Sequence, residues 1–156
     1  MTEKTLDVQL VGDLDIVMTR AFDAPLDLLW EVHTQVEHLR KWWARGNPMD
    51  AELDFRPGGK WRIVEHAPDG DWAFRGEIRE IVPKQLIVQT FEFEGMPGHI
   101  AVERLTFTEK DGKTVLVTTS TFANREDRDG MVQSGMEVGA NESYQALEAY
   151  LKTLQA

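Results

Sequence analysis

The sequence predicts one α+β domain in which a curved antiparallel sheet of about seven strands wraps around a long C-terminal helix, with two short helices after the first strand. Short β-rich runs separated by turn dipeptides fill the chain from about residue 50. Apolar residues at a three-and-four spacing mark a helix at its end. The length suits a single domain over residues 1–156, of which we expect residues 1–12 to be frayed.

The first strand and the two short helices are predicted in the first third of the chain. The alternation over residues 16–21 is typical of a strand. Pro25 suits the first turn of a helix, because its missing N–H costs no hydrogen bond there, and it is followed at helical spacing by Leu26, Leu29, Trp30 and His33. A second short helix is predicted over residues 36–43 by Val36, Leu39, Trp42 and Trp43.

A meander of six further strands is predicted next. Turn dipeptides such as Pro57-Gly58 and Asp111-Gly112 separate β-rich runs, which lie at 50–56, 60–66, 72–82, 85–94, 100–109 and 113–122. Strands that follow one another without a helix between them pair as antiparallel neighbours. In the 72–82 run, apolar and charged residues alternate, which predicts one buried and one solvated face.

The last helix is predicted to cover the buried face of the sheet. Asn124 is expected to cap its start, and its apolar stripe consists of Met136, Ala140, Tyr144, Leu147, Leu151 and Leu154. The stripe is small from Gly135 to Ser143 and bulky beyond it. Because a curved sheet cannot approach the whole helix closely, we expect a hollow under residues 131–143 and a closed core under 144–154.

Composition restricts the partners and the compartment. A net charge of -10 disfavours nucleic acid and anionic membranes, since binding to both draws on Lys and Arg. The absence of cysteine excludes disulfides and thiolate-bound metals and suits a reducing cytosol. No apolar run approaches the ~18 residues of a membrane span, and the N-terminus lacks the pattern of a signal peptide. We therefore expect a cytoplasmic protein with no cofactor and no metal.

Three segments carry a resemblance to a known family: DFRPGGKWR at 54–62, FRGEIREIVPKQLIVQTFEFEGMPGH at 74–99 and DGMVQSGMEVGANESYQAL at 129–147. In this order they resemble the SRPBCC superfamily of START-like, helix-grip proteins. Within it they are similar to the branch of the C-terminal domain of the activator of the heat-shock protein 90 ATPase. The likeness extends from about residue 13 to 154. Many members have tryptophan where this chain has Ala140, which enlarges the expected hollow.

The resemblance implies a cavity between sheet and long helix, and it leaves three functions open. The first is non-enzymatic binding of a small hydrophobic or aromatic molecule, such as a lipid. The second is a protein-interaction module that contacts a chaperone, as in the Hsp90 activator. The third is an enzyme of the polyketide cyclase or aromatase kind, which needs only a shaped cavity and one acid or base. A homodimer is also left open.

The candidate ligand-binding residues are aromatic, apolar or small and fall where the cavity is expected. Aromatic side chains line both cores and pockets, and methionine adapts to varied apolar partners, so core packing remains the alternative for most of them. Trp42 and Trp43 diverge by about 100° on a helix, so one of them is expected at the rim. The set comprises Trp30, Trp42, Trp61, Phe74, Phe91, His99, Met131, Met136, Ala140 and Tyr144.

Other polar residues are expected to be structural. His33, Glu37 and His38 lack the i, i+4 histidine pair of a helical zinc site, so we expect a surface ion pair. His66 is expected in a solvated turn, and His99 either caps a turn or lies at the mouth of the pocket. Cross-strand pairs on the solvated face are expected among Glu65, Glu92, Arg62 and Arg104. If one of these charged side chains pointed into the core, it would need a partner there, which a ligand could supply.

The sequence offers no catalytic residue that we would single out. It has no G-x-S-x-G elbow and no phosphate loop of the G-x-x-x-x-G-K type. It also has no serine at a recognisable spacing from a histidine. These features favour binding over catalysis as the primary expectation.

Overall fold

The computed structural model describes residues 6–156 as one antiparallel sheet with helices packed on its inner face. The strands and helices, in chain order, are β1 (Asp7–Val11), β2 (Asp15–Phe22), α1 (Leu26–Thr34), α2 (Val36–Leu39), β3 (Met49–Leu53), β4 (Lys60–Ala67), β5 (Gly70–Val82), β6 (Leu86–Phe93), β7 (Ile100–Lys110), β8 (Lys113–Thr121), α3 (Arg125–Gln133) and α4 (Met136–Leu154).

The sheet has the order β1-β2-β8-β7-β6-β5-β4-β3. The meander β3 to β8 is antiparallel throughout, and β2 closes against β8 in the same sense. The long helix α4 covers the inner face. This arrangement confirms the predicted α+β helix-grip fold. In chain order, α1 and α2 lie between β2 and β3.

One strand more is present than the sequence predicted, because the expected fraying over residues 1–12 is wrong for the part that the structure describes. In β1, Asp7 pairs with Thr19 and Val11 pairs with Asp15. Its side chains are mostly exposed, although Val8, Leu10 and Val11 are apolar, so the strand is stabilised mainly by its hydrogen-bond ladder with β2. Residues 1–5 lie outside the described part of the chain.

The second short helix is shorter than predicted. It ends at Leu39, and residues 40–46 form turns. Just beyond the predicted end at residue 43, Arg45 and Gly46 have φ values of 58° and 95°, so the backbone leaves the right-handed region there. The indoles of Trp42 and Trp43 therefore project from a turn.

The predicted C-terminal helix consists of two helices. Asn124 caps the first as expected, since its Oδ1 accepts the Asp127 backbone N–H at 2.8 Å. Gly135 then adopts φ 87°, the left-handed conformation that glycine accepts at low cost, and this ends α3 before α4 begins. The guanidinium of Arg128 fixes α3 to the sheet by donating to the carbonyls of Gly12 and Asp15 at 3.1 and 3.2 Å.

Packing beneath α4 differs along its length. Leu147 and Leu151 are fully buried in the main core with Phe22 and Leu116. Nearer the start of the helix, Ala140 and its neighbours are only partly buried against a separate cluster around Ile16. Packing is therefore closed under the bulky residues Leu147 and Leu151 and looser under the small residue Ala140, as the sizes of these residues predict.

Candidate functional site: a cavity between the sheet and the long helix

A cavity of about 1280 Å³ lies between the inner face of the sheet and the first half of α4. Its wall includes ten aromatic side chains and two imidazoles, namely Trp42, Trp43, Phe55, Trp61, Trp72, Phe74, Phe91, Phe93, Phe122 and Tyr144 with His33 and His99. The exposed lining residues include Trp72, Met96 and His99, and His99 contacts Asp127 of α3. These residues mark the mouth of the cavity.

Nine of the ten candidate residues line this cavity. The candidates that contribute to its wall are Trp42, Trp61, Phe74, Phe91, His99, Met131, Met136, Ala140 and Tyr144. Trp30 is not among the lining residues. Its ring packs edge-on against Phe107 at 5.1 Å and Phe55 at 5.9 Å, so it supports the core instead of the cavity.

The aromatic wall rests on a close approach at Gly76. The indole of Trp61 lies over this glycine and donates from Nε1 to the Thr90 carbonyl at 3.2 Å. A Cβ at position 76 would lie 2.0 Å from that carbonyl oxygen and 2.4 Å from Trp61 Nε1. The next ring, Phe91, is 5.9 Å from Trp61. A residue without a side chain at 76 therefore positions Trp61 in the wall.

Both members of the tryptophan pair line the cavity. Trp42 is buried and donates from Nε1 to the Val32 carbonyl at 3.1 Å. Trp43 is partly buried, and its backbone carbonyl accepts the Ser143 hydroxyl of α4 at 2.7 Å. The expectation that the two rings cannot face one interior assumed a helix, whereas the observed turn allows both to reach the cavity.

Polar side chains form one row across the aromatic cavity. Gln89, Glu103 and Ser120 are register partners on β6, β7 and β8. Gln89 Nε2 donates to Glu103 Oε1 at 3.1 Å, and the Ser120 hydroxyl lies 3.5 Å from Oε2. Together they hold the Glu103 carboxyl group from both sides, on the inner face of the sheet.

Burial alters the acidity of groups in this wall. Desolvation raises the pKa of Glu103, and the hydrogen bonds from Gln89 and Ser120 only partly oppose it. The residue is half-buried by area because it faces the cavity, away from bulk solvent. Desolvation likewise raises the pKa of Tyr144 to about 12, so its hydroxyl keeps its proton. Burial therefore disfavours the charged form of Glu103.

A second inward carboxyl group, Glu65 on β4, has its charge compensated. Arg45 forms a salt bridge with Glu65 Oε2, and Asn47 Nδ2 donates to the same oxygen at 2.7 Å. Arg45 also lies 3.6 Å from Glu142 on α4. The sequence predicted Glu65 on the solvated face, which is wrong. Its register with Trp72 and Met49 turns it inward, where it has the partner that burial requires.

The expected surface ion pair of His33 is also wrong. The ring packs on Trp42 at 5.0 Å and Phe107 at 5.5 Å. Its Nδ1 lies 2.8 Å from the Leu29 carbonyl, which can only accept, so Nδ1 carries the proton. Burial lowers the pKa of His33 to about 4. His33 is therefore neutral at physiological pH, and Nε2 has no hydrogen-bond partner within residues 6–156.

The remaining polar expectations concern the surface and the mouth. His99 Nδ1 lies 2.8 Å from Asp127 Oδ1, which joins the turn before β7 to α3 across the mouth. His66 contacts Asp71 and Asp50 at 2.8 and 3.0 Å on the outside of the sheet. The cross-strand ion pairs of the solvated face are Arg62 with Glu94 and Arg75 with Glu92.

Sequence reasoning missed Glu103, although a signal was present. Ala101, Glu103, Leu105 and Phe107 alternate with outward residues along one strand, and three of the four are apolar. Strict alternation therefore placed the carboxyl group on the inner face. Gln89 and Ser120 carried no comparable signal, because only the register of three strands brings them to Glu103.

The comparisons with known proteins identify relatives of the chain. A family model described as Activator of Hsp90 ATPase homolog 1-like protein matches residues 23–152. The crystal structure of Ms6760 from Mycobacterium smegmatis is 27% identical, with 95% of this chain and 98% of that chain covered and a TM-score of 0.85. No curated protein matches the chain.

Two further structures support the fold alone. A protein from Rhodobacter sphaeroides is 24% identical, with 96% of this chain and 99% of that chain covered and a TM-score of 0.87. A protein from Arthrobacter aurescens is 22% identical, with 96% and 92% covered and a TM-score of 0.85. Among the helices of the described residues, none is long and apolar enough to span a membrane.

Proposed function

The chain belongs to the family of Activator of Hsp90 ATPase homolog 1-like proteins, and from this premise we propose that it binds a small hydrophobic or aromatic molecule without reacting with it. The cavity of about 1280 Å³ is the observation that carries the proposal. Ligand pockets are typically ~300–1,000 Å³ and mostly apolar, with a few polar groups that orient the ligand. The cavity exceeds this range in volume, and its aromatic side chains together with the polar row at Glu103 provide both kinds of lining group.

The proposed binding draws on two kinds of contact. Apolar surface of the ligand gains roughly 25 cal/mol for each Å² removed from water, and the rings of Trp61, Phe91 and Phe74 supply a continuous surface for it. The row at Glu103 offers the directional contact. Within residues 6–156 no serine hydroxyl is hydrogen-bonded to a histidine, which favours binding without nucleophilic chemistry.

Nile red tests the proposal, since it is a neutral dye whose fluorescence rises in apolar surroundings. Titration should give saturable binding of one dye per chain, and native mass spectrometry against lipids and aromatic metabolites should find masses that persist on the folded protein. A folded protein that shows no saturable dye binding and retains no compound would overturn the proposed function.

Two other candidates each have one supporting observation. The matching family takes its name from an activator of the Hsp90 ATPase, so a chaperone-interaction module predicts that this protein raises the ATPase rate of purified Hsp90. A cyclase-type enzyme needs a buried acid or base, and Glu103 is such a group. That candidate predicts turnover of a polyketide-like substrate that Glu103→Gln abolishes.

A further inference from the structure

The wall of the cavity is strongly acidic for a site lined by aromatic rings. The charged lining residues comprise seven carboxyl groups and two guanidinium groups, namely Glu52, Glu65, Asp69, Glu103, Glu126, Asp127 and Asp129 against Arg45 and Arg125. The chain as a whole carries a net charge of -10. A field of this sign attracts cations to the mouth and repels anions. Anionic amphiphiles such as fatty acids are therefore poor candidates for the ligand.

Glu103 and Glu65 provide an internal comparison of two inward carboxyl groups. Glu65 is neutralised by Arg45 and accepts a second hydrogen bond from Asn47. Glu103 accepts only from the uncharged groups of Gln89 and Ser120, and no cationic side chain of residues 6–156 forms a salt bridge with it. A buried carboxyl group without a counter-charge is costly, so a ligand that brings the cation removes that cost.

Aromatic rings lie on the same face as the carboxyl group. Phe91 follows Gln89 by two residues on β6 and pairs with Ala101, which precedes Glu103 by two residues on β7. The ring of Phe91 lies 5.4 Å from that of Phe74. Ring faces attract cations, so an ammonium group next to Glu103 would meet both a carboxyl group and aromatic surface.

We propose, on the basis of the function proposed above, that the cavity takes a protonated amine carried on an apolar or aromatic body, with Glu103 as the counter-charge. Gln89 and Ser120 hold the carboxyl group in place. Hydrogen bonds to charged groups contribute more than those between neutral groups. The amine is therefore preferred over an alcohol of the same shape, and both are preferred over a carboxylate.

Three probes with the same biphenyl body separate these cases: para-phenylbenzylamine, para-phenylbenzyl alcohol and para-phenylbenzoate. Each is titrated against the protein with bound Nile red at neutral pH. The amine should displace the dye at a concentration about tenfold or more below that of the alcohol, and the benzoate should be the weakest. An alcohol or benzoate that competes as well as the amine overturns the proposal.

The Glu103→Gln variant assigns the preference to one residue. The ratio of amine to alcohol affinity should fall close to one, and because it is a ratio it corrects for any change in dye affinity. Glu80→Gln removes a charge from the exposed face of β5, outside the cavity, and should keep the wild-type ratio. An amine preference that survives Glu103→Gln overturns the assignment.

The proposed function and this inference fail in different ways. Absence of Nile red binding to the folded wild-type protein contradicts both. Nile red binding without an amine preference contradicts the inference alone. The wild-type probe series does not depend on any variant, so it decides the preference even if Glu103→Gln folds poorly.

Discussion

Gln89 and Glu103 face each other across β6 and β7, and the Gln89 amide donates to the Glu103 carboxyl group at 3.1 Å inside an aromatic cavity. The amide restrains the carboxyl group but brings no positive charge. Desolvation consequently raises the pKa of Glu103. A protein that keeps such a group gains no stability from its charge, which is consistent with a role in binding.

Replacement of Glu103 by Gln should make the ligand-free protein more stable than wild type, by an amount that grows as the pH rises. Folding raises the pKa of the Glu103 carboxyl group. The free energy of unfolding is therefore highest below the pKa of this group in the unfolded chain, and it falls as pH rises through the pKa in the folded protein. Glu103→Gln has no charge to bury and escapes this loss. Urea denaturation across acidic and neutral pH should show a growing advantage of the variant over wild type, whereas Glu80→Gln should show little change. An advantage that shrinks with rising pH contradicts the account.

Replacement of Gly76 by Ala should destabilise the protein by about 1–3 kcal/mol or more. The added Cβ meets the Thr90 carbonyl oxygen at 2.0 Å, and backbone must move to relieve the clash. Gly130→Ala is the matched control in α3, because a Cβ there meets no atom within 4 Å. A helical Gly→Ala change gains up to about 1 kcal/mol. Thermal denaturation of both variants measures the difference, and equal effects would contradict the close approach of Trp61.

Replacement of His33 by Phe should flatten the acid side of the stability profile. Folding lowers the pKa of His33 from 6.5 to about 4, so the unfolded chain binds the proton first as pH falls. Stability is lost from about pH 6.5 down to about pH 4, by up to about 3 kcal/mol. The Phe variant lacks this loss. Urea denaturation at pH values across that window measures it, and parallel profiles for the two proteins would show that His33 titrates normally.

Replacement of Asn124 by Ala should destabilise α3 by about 1 kcal/mol. The change removes the acceptor of the Asp127 backbone N–H. Because Gly135 separates α3 from α4, hydrogen exchange should quicken over residues 125–133 and stay unchanged over residues 144–154. Faster exchange along both helices would mean that they behave as one unit.

The fold could be predicted from the sequence because its signals are local. Turn dipeptides and alternation gave the strands of the meander within a few residues, and the stripe from Met136 to Leu154 gave α4. The edge strand β1 was missed although polar and apolar residues alternate over residues 7–10, because it is only five residues long. The break before α4 was missed because Gly135 was interpreted as part of a small-residue stripe, while its positive φ is a property of the backbone alone.

The site could be predicted only in part. Apolar lining residues such as Phe91 and Ala140 follow from the inner faces of a strand and a helix. The polar row does not, because Gln89 and Ser120 reach Glu103 through the pairing of β6, β7 and β8. The prediction for His33 relied on charged residues near it in the sequence, Glu37 and His38. In the fold its ring packs on Trp42 and Phe107 instead.

The most direct test of the central claim compares two tryptophan substitutions on α4. Ala140 lines the cavity, and Ala149 lies on the exposed face of the same helix. If the cavity is the ligand site, Ala140→Trp should weaken Nile red binding by about tenfold or more, equivalent to about 1.4 kcal/mol, while Ala149→Trp leaves it unchanged. Circular dichroism establishes that both variants are folded, and Ala140→Leu gives a smaller filling if the indole is not accommodated. Nile red binding by folded Ala140→Trp and Ala140→Leu as tight as in wild type would contradict a ligand site between the sheet and the long helix.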